Sequence, residues 1–172
     1  MLFGKQGRAK VHVESFNGEP ISLAKGLTST ALHGDFVELR ILPPKKKKFD
    51  RRKKKFSEQK ARYEVRKIIR RNTKDFLGYL KKDRGRFLVE AENSRLFIPF
   101  KILGDARKGN PGDKVVAQFS RWDPPAKIPT CKILRVLGPG GEAQTDHLGI
   151  LAKFGLSAKF PHKVEEEAKA VA

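Results

Sequence analysis

At 172 residues the chain is long enough for one medium domain or two small ones. No apolar run approaches the ~20 residues of a membrane helix. The Met1-Leu2-Phe3-Gly4-Lys5 start is too poor in apolar residues for a signal peptide. A single cysteine, Cys131, excludes an internal disulfide framework and a cysteine-based zinc site. The 38 Lys+Arg against 19 Asp+Glu leave a net charge of +19, a field that favours a polyanion: nucleic acid first, an anionic membrane surface second. These features predict a soluble, cytoplasmic protein.

In chain order, Ala9 to Glu14 alternates as a half-buried strand does, and Ile21 to Ala24 is a short apolar run after Gly18-Glu19-Pro20. His33-Gly34-Asp35 then reads as a turn opening an alternating strand, with Val37 and Leu39 on one face. From Lys45 to Arg71 there are 15 Lys/Arg and three acids, a net of +12, so most of the excess charge sits in about one sixth of the chain. Its densest part follows Pro43-Pro44, and like charges so close predict an extended or mobile loop. Phe76 to Lys81, Phe87 to Ala91 and Leu96 to Ile98 follow as short strands. Thr145-Asp146 reads as the cap of a helix carrying Leu148, Leu151 and Phe154 and stopped by Gly155, with another helix over Pro161 to Ala172.

The sequence also repeats itself. His33-Gly34-Asp35-Phe36-Val37-Glu38-Leu39-Arg40 matches Pro111-Gly112-Asp113-Lys114-Val115-Val116-Ala117-Gln118, and Lys67-Ile68-Ile69-Arg70 echoes Lys132-Ile133-Leu134-Arg135. The first copy carries 13 more residues between these strands, where the basic run lies. Five short strands per copy, with no helical period, predict a small Greek-key barrel in each.

Catalytic constellations do not emerge. The four histidines, 12, 33, 147 and 162, lack metal-ligand spacing, and His33 in its Gly-Asp turn reads as structural. There is no glycine-rich loop ending in Gly-Lys-Ser/Thr, and Gly138-Pro139-Gly140-Gly141 reads as a linker. Cys131, in an expected strand, reads as a small buried hydrophobe. Asp35 and Asp113 read as ordinary turn residues.

The string Asp75-Phe76-Leu77-Gly78-Tyr79-Leu80, then Gly85-Arg86-Phe87-Leu88-Val89, Leu96-Phe97-Ile98-Pro99, Gly112-Asp113-Lys114-Val115-Val116 and Val136-Leu137-Gly138 resembles the second cold-shock domain of the ribonuclease R family. Ala31-Leu32-His33-Gly34-Asp35 and Glu64-Val65-Arg66-Lys67-Ile68 resemble the family's first cold-shock domain. Asp146 to Leu156, with Phe160-Pro161, resembles the lead-in to its catalytic domain. Two departures stand out. The first copy has Gly7-Arg8-Ala9-Lys10-Val11 in place of a Gly-aromatic strand and Ser22-Leu23-Ala24 in place of Phe-Ile-Pro. The aspartates are scattered, where a two-metal phosphodiester site needs several converging carboxylates.

The resemblance implies a mainly β chain of two tandem OB-fold (cold-shock-like) five-stranded barrels and a short helical C-terminal segment. The first domain spans residues 1–71 with a Lys/Arg-rich insertion at 43–60, the second 72–138, and the linker and start of a catalytic domain 139–172. It implies single-stranded RNA as partner, with ribosomes or structured RNA next, and neither a membrane nor a small-molecule substrate. The family's magnesium-dependent 3′-to-5′ exoribonuclease chemistry would belong to a catalytic domain outside this chain, so no cofactor, metal or catalytic residue is expected on it. The alternatives are a stand-alone RNA-binding or RNA-chaperone module and a complete small nuclease.

In cold-shock barrels, aromatic faces stack bases and cations follow phosphates. By that correspondence Phe97 and Phe87 are the first stacking candidates, a one-residue slip putting Phe87 in the core; Tyr79 and Phe100 follow. Lys81, Lys82, Arg84, Arg86 and Arg95 would flank that face. In the first copy Arg8 and Lys10 replace the aromatics and would act electrostatically. Lys45, Lys46, Lys47, Lys48, Arg51, Arg52, Lys53, Lys54 and Lys55 would add sequence-blind, salt-sensitive affinity.

Overall fold

A computed structural model describes residues 1–4, 8–13, 19–24, 26–43, 49–50, 55–56, 61–104 and 109–156. Among them are the strands β1 (Leu2–Phe3), β2 (Ala9–Val11), β3 (Ile21–Leu23), β4 (Phe36–Leu42), β5 (Phe49–Asp50), β6 (Lys55–Phe56), β7 (Arg62–Arg70), β8 (Asp75–Asp83), β9 (Arg86–Ala91), β10 (Phe100–Ile102), β11 (Asp113–Arg121) and β12 (Thr130–Pro139), and one helix, α1 (Ala143–Lys153). The fold is mainly β. The chain divides into two units. The first is Met1–Lys74 with Ser94–Phe97 and Asp123–Pro125; the second is Asp75–Asn93 with Ile98–Trp122 and Ala126–Ala172.

In the first unit, β1, β2 and β3 form an antiparallel sheet, and β4 pairs with β7 in a long antiparallel ribbon. Alternation sets what each strand buries. Ala9 and Val11 turn inward while Arg8 and Lys10 face out. Phe3, Leu23, Ala31 and Val65 complete the buried cluster, with Val37, Leu39 and Ile68 packed against it. Two register shifts in the β4–β7 ladder re-aim its side chains, leaving Phe36 half in water under the Arg70 guanidinium, 4.1 Å from its ring centroid. Among the described residues the strand pairing of this unit comprises the β1–β2–β3 sheet, the β4–β7 ribbon and the β5–β6 pair. The segment expected as an extended loop contains the β5–β6 pairing of Phe49 with Phe56 and Asp50 with Lys55.

The second unit is a closed five-stranded barrel in the order β10-β12-β11-β8-β9. Its first strand, β8, pairs with the second and fourth, and the third, β10, runs parallel to the fifth, β12. That is the OB connectivity. Phe76, Leu80, Val89, Phe100, Val115, Ala117 and Cys131 fill the interior. The opposite face of β8 and β11, with Leu77, Lys114 and Val116, lies under α1, so β11 is buried on five successive residues where a one-sided strand would alternate.

Two local expectations shift. The segment expected as a strand at Leu96 to Ile98 is irregular, and the pairing strand is β10, which follows Pro99. Proline carries no N–H for a ladder; beyond it, Lys101 N donates to Pro129 O and Leu103 N to Cys131 O, both at 2.8 Å. The helix begins at Ala143 rather than after Thr145-Asp146, with Glu142 at its N-cap. Thr145 is buried against the barrel and Asp146 is held by Lys114, so neither serves as the cap. Gly155 ends it with a φ of +68°. The helix expected over Pro161 to Ala172 lies outside the described residues.

Candidate nucleic-acid interface

The register of β8, β9 and β10 decides which side chains share the outer surface of the barrel. Leu80 opposes Val89, both fully buried, so Lys82 and its partner Phe87 fall on that same inward-facing row. Phe87 is therefore half-buried at the barrel's end, with Lys82 Nζ 6.0 Å from its ring centroid. The residue that β9 presents outward is Leu88. It opposes Lys81 on one side and Lys101 on the other, while Tyr79 opposes Glu90. Tyr79, Lys81, Leu88 and Lys101 thus line one outer face, with the turn carrying Arg84 and Arg86 at its edge. In OB folds this face of the second and third strands, with the first hairpin loop, is where oligonucleotides dock.

The expected site residues divide accordingly. Phe100 is corrected outright. It is fully buried, its ring centroid 4.4 Å from that of Phe76, and has no face to offer a base. Tyr79 is half-buried, its hydroxyl 3.4 Å from Glu92 Oε1 and its ring 5.6 Å from Lys114 Nζ. Phe97 is 41% exposed. It belongs to the first unit, where its ring centroid stands 5.3 Å from that of Phe3 at an interplanar angle of 44°, leaving part of its surface open. Lys81, Lys82, Arg84 and Arg86 are all exposed around the β8–β9 turn, Lys81 in an ion pair with Glu90. Arg8, Lys10 and Arg95 are exposed in the first unit and line a cavity of about 410 Å³ there. Lys45, Lys46, Lys47, Lys48, Arg51, Arg52, Lys53 and Lys54 lie outside the described residues, and of Lys55 only the backbone pairing in β6 is described.

Residues that the sequence reading passed over complete the picture. Lys101 and Leu88 enter the outer face only through register, which the linear pattern does not reveal. Lys114 is 4% exposed, yet its ammonium lies 2.8 Å from Glu92 Oε1 and 2.9 Å from Asp146 Oδ1. Burial opposes its charge, but the two carboxylate hydrogen bonds outweigh that and hold its pKa above the ordinary lysine value. Cys131 is fully buried, and burial pushes its thiol up to about 12, so it carries no nucleophilic thiolate near neutral pH. Among the described residues no three His, Cys, Asp or Glu side chains converge as metal ligands would. The arrangement offers a mixed apolar and cationic face, which suits a flexible polyanion with planar bases.

With that geometry established, comparison with known proteins is informative. A cold shock domain matches residues 89–161. The apo form of Mycoplasma genitalium RNase R is similar in fold over 99% of this chain, with a TM-score of 0.68 and 17% sequence identity. The same enzyme in complex with ribose-methylated single-stranded RNA gives the same values. Yeast Ssd1, described as a pseudonuclease, is similar over 90% of this chain with a TM-score of 0.67 and 16% identity. The chain spans only about a quarter of each of these, 26% of RNase R and 24% of Ssd1. No curated protein sequence matches.

Proposed function

We propose that this chain binds single-stranded RNA as the substrate-capture part of a larger ribonuclease R-like protein. The observation that carries the reading is the likeness of fold over 99% of the chain to an RNase R seen with single-stranded RNA. The closed barrel with its cold shock match and its apolar, cationic outer face supports it chemically. On this reading residues 1–71 are a diverged first cold-shock-like domain whose basic insertion grips phosphates without regard to sequence, and 139–172 leads toward a catalytic domain. On the face of the second unit Tyr79 stacks a base, Leu88 packs against it, and Lys82, Arg84, Arg86 and Lys101 pair with phosphates; Phe97, in the first unit, stacks a base on its own exposed face.

Competition tests this directly. A labelled single-stranded RNA bound to the chain should be displaced by unlabelled single strand at least tenfold more readily than by a duplex of equal length, because stacking needs unpaired bases. Equal displacement by both would leave only charge attraction and contradict the proposal.

A second reading, an RNA-binding protein without nuclease activity, is favoured by the equally good likeness to the pseudonuclease Ssd1. It shares the RNA contacts and differs in whether the full-length protein shortens RNA in the presence of magnesium.

A further inference from the structure

Three arginines of the β4–β7 ribbon are held in two different ways. Arg66 Nη1 lies 2.9 Å from Glu38 Oε1, and Arg40 pairs with Glu64 across the strands. Arg70, opposite Phe36 in the register, instead sets its guanidinium over the Phe36 ring. Its Cζ stands 4.1 Å from the ring centroid, and no carboxylate pairs with it among the described residues. The neighbouring acids are committed elsewhere. Glu38 pairs with Arg66, and the fully buried Asp35 accepts from Leu32 N, Asn72 N and Arg71 Nη1.

Phe36 follows Gly34-Asp35 as Lys114 follows Gly112-Asp113. Lys114 is 4% exposed, closed in by Glu92 and by Asp146 of α1, whereas Phe36 is 48% exposed. The register shift between Phe36 and Val37 skips Ile69, which precedes Arg70 in the chain and is 67% exposed. A phenyl ring and an isoleucine thus stand in water at the Gly-Asp end of the ribbon, where Arg70 and Lys67 are exposed cations. Single apolar side chains on a surface are ordinary. A ring that carries a guanidinium with open in-plane donors is more specific, because it joins a flat stacking surface to a positive charge.

We propose that the Phe36–Arg70 stack is a base-binding platform of the first unit. An unpaired nucleobase lies against the ring and guanidinium, and the N–H edge of Arg70, with Lys67, takes the adjoining phosphate. Single-stranded nucleic acid combines flat π surfaces with regularly spaced anions, and bases stack on aromatic rings and on guanidinium planes alike. A guanidinium already seated on a ring is pre-organised and loses little freedom when it binds. An acidic peptide would answer the cations but has no flat surface for the ring. The inference rests on the RNA-binding reading and extends it to residues of β4 and β7, which the sequence pattern did not single out as contacts.

The test titrates the full chain with a labelled single-stranded oligoribonucleotide, read by anisotropy, and follows the Phe36 ring by NMR in the same titration. The ring resonances should shift as the oligonucleotide saturates the chain. Phe36→Leu should lower affinity about tenfold, the loss of one stacked base, with the salt dependence unchanged. Arg70→Lys keeps the charge but not the planar stack and should lower affinity severalfold. Phe36→Trp should restore wild-type binding. Native amide shifts along β4 and β7 check that each variant folds, and should Phe36→Leu unfold the ribbon, the wild-type ring shift decides. An oligonucleotide that binds while the Phe36 ring stays unmoved would overturn the platform and spare the proposed function. No binding by the wild-type chain would contradict the RNA-binding reading and the platform with it. A ring that responds equally to a polyglutamate peptide would assign this surface to an acidic protein and overturn the proposal.

Discussion

Asp35 and Asp113 make the same hydrogen bonds in turns 78 residues apart. Each carboxylate Oδ2 accepts from the backbone N–H three residues earlier at 2.7 Å, Leu32 in one case and Asn110 in the other. Each backbone N–H returns a bond to the carbonyl of that same residue, at 3.2 and 3.0 Å. The preceding Gly34 and Gly112 hold φ values of +85° and +97°, which a side chain would strain. The internal repeat is thus a repeat of hydrogen-bond geometry as well as of letters.

The two turns differ in what else they hold, and that difference is measurable. Asp35 is fully buried and also accepts from Asn72 N and from Arg71 Nη1 at 2.5 Å. Asp35→Ala removes the buried ion pair with Arg71 and leaves two backbone donors without their carboxylate, and should destabilise the first unit by about 3–5 kcal/mol. Asp113→Ala removes a single described carboxylate bond and should cost about 1–2 kcal/mol. Urea midpoints at unchanged slope would measure both. Equal costs would mean that the Arg71 pair and the Asn72 bond together contribute nothing.

Lys114 ties the barrel to its helix, through Asp146 on α1 and Glu92 beyond β9. Both carboxylates are roughly half in water, so solvent screens part of the interaction. Lys114→Met should cost about 2 kcal/mol, with α1 amides losing hydrogen-exchange protection before those of β8 and β11. Asp146→Asn should cost less, because Glu92 still pairs the ammonium. Uniform loss of protection across barrel and helix would contradict a helix docked through this contact.

Phe97 and Phe100, three residues apart, should separate binding from stability. Phe97→Ala should weaken single-stranded RNA binding by about 1–3 kcal/mol with the salt dependence unchanged and the barrel intact. Phe100→Ala opens a cavity beside Phe76 and should destabilise the second unit by about 3–5 kcal/mol. Thermal unfolding alongside anisotropy reads both. Unfolding of the Phe97 variant would make that ring a packing residue on Phe3.

Acid should weaken the first unit through His33. Its folded pKa lies below the ordinary histidine value, so between the two the unfolded chain binds more protons. The contribution is complete above the unfolded pKa of about 6.5 and is lost as pH falls through the folded value. His33→Gln should flatten the stability profile across this window. A wild-type profile that rises on acidification there would give the opposite sign.

Much of this fold is legible in the sequence where burial follows a local period. Ala9-Lys10-Val11 and the strand beginning near Phe76 carry a two-residue alternation that their burial follows, and the strands after Gly34-Asp35 and Gly112-Asp113 form where the repeat places them. What escapes depends on partners distant in the chain. The row on which Phe87 lies is set by pairing with Lys82, not by its neighbours. The third barrel strand starts after Pro99 because its bonds go to Pro129 and Cys131. Lys114 stands inside the Gly-Asp repeat, where nothing local shows that Glu92 and Asp146 pair with it. His33 is read correctly as a turn residue, but its contacts Phe3 and Arg95 lie 30 and 62 residues away.

The most direct test of the central claim is fluorescence anisotropy of a labelled single-stranded RNA titrated with the chain at two salt concentrations. Net charge of +19 and the cations around the barrel predict saturable binding at low salt. If six or more phosphates are neutralised, affinity should fall by roughly a thousandfold or more between 50 and 200 mM salt. An absence of saturable binding at low salt, or an affinity indifferent to salt, would contradict the account.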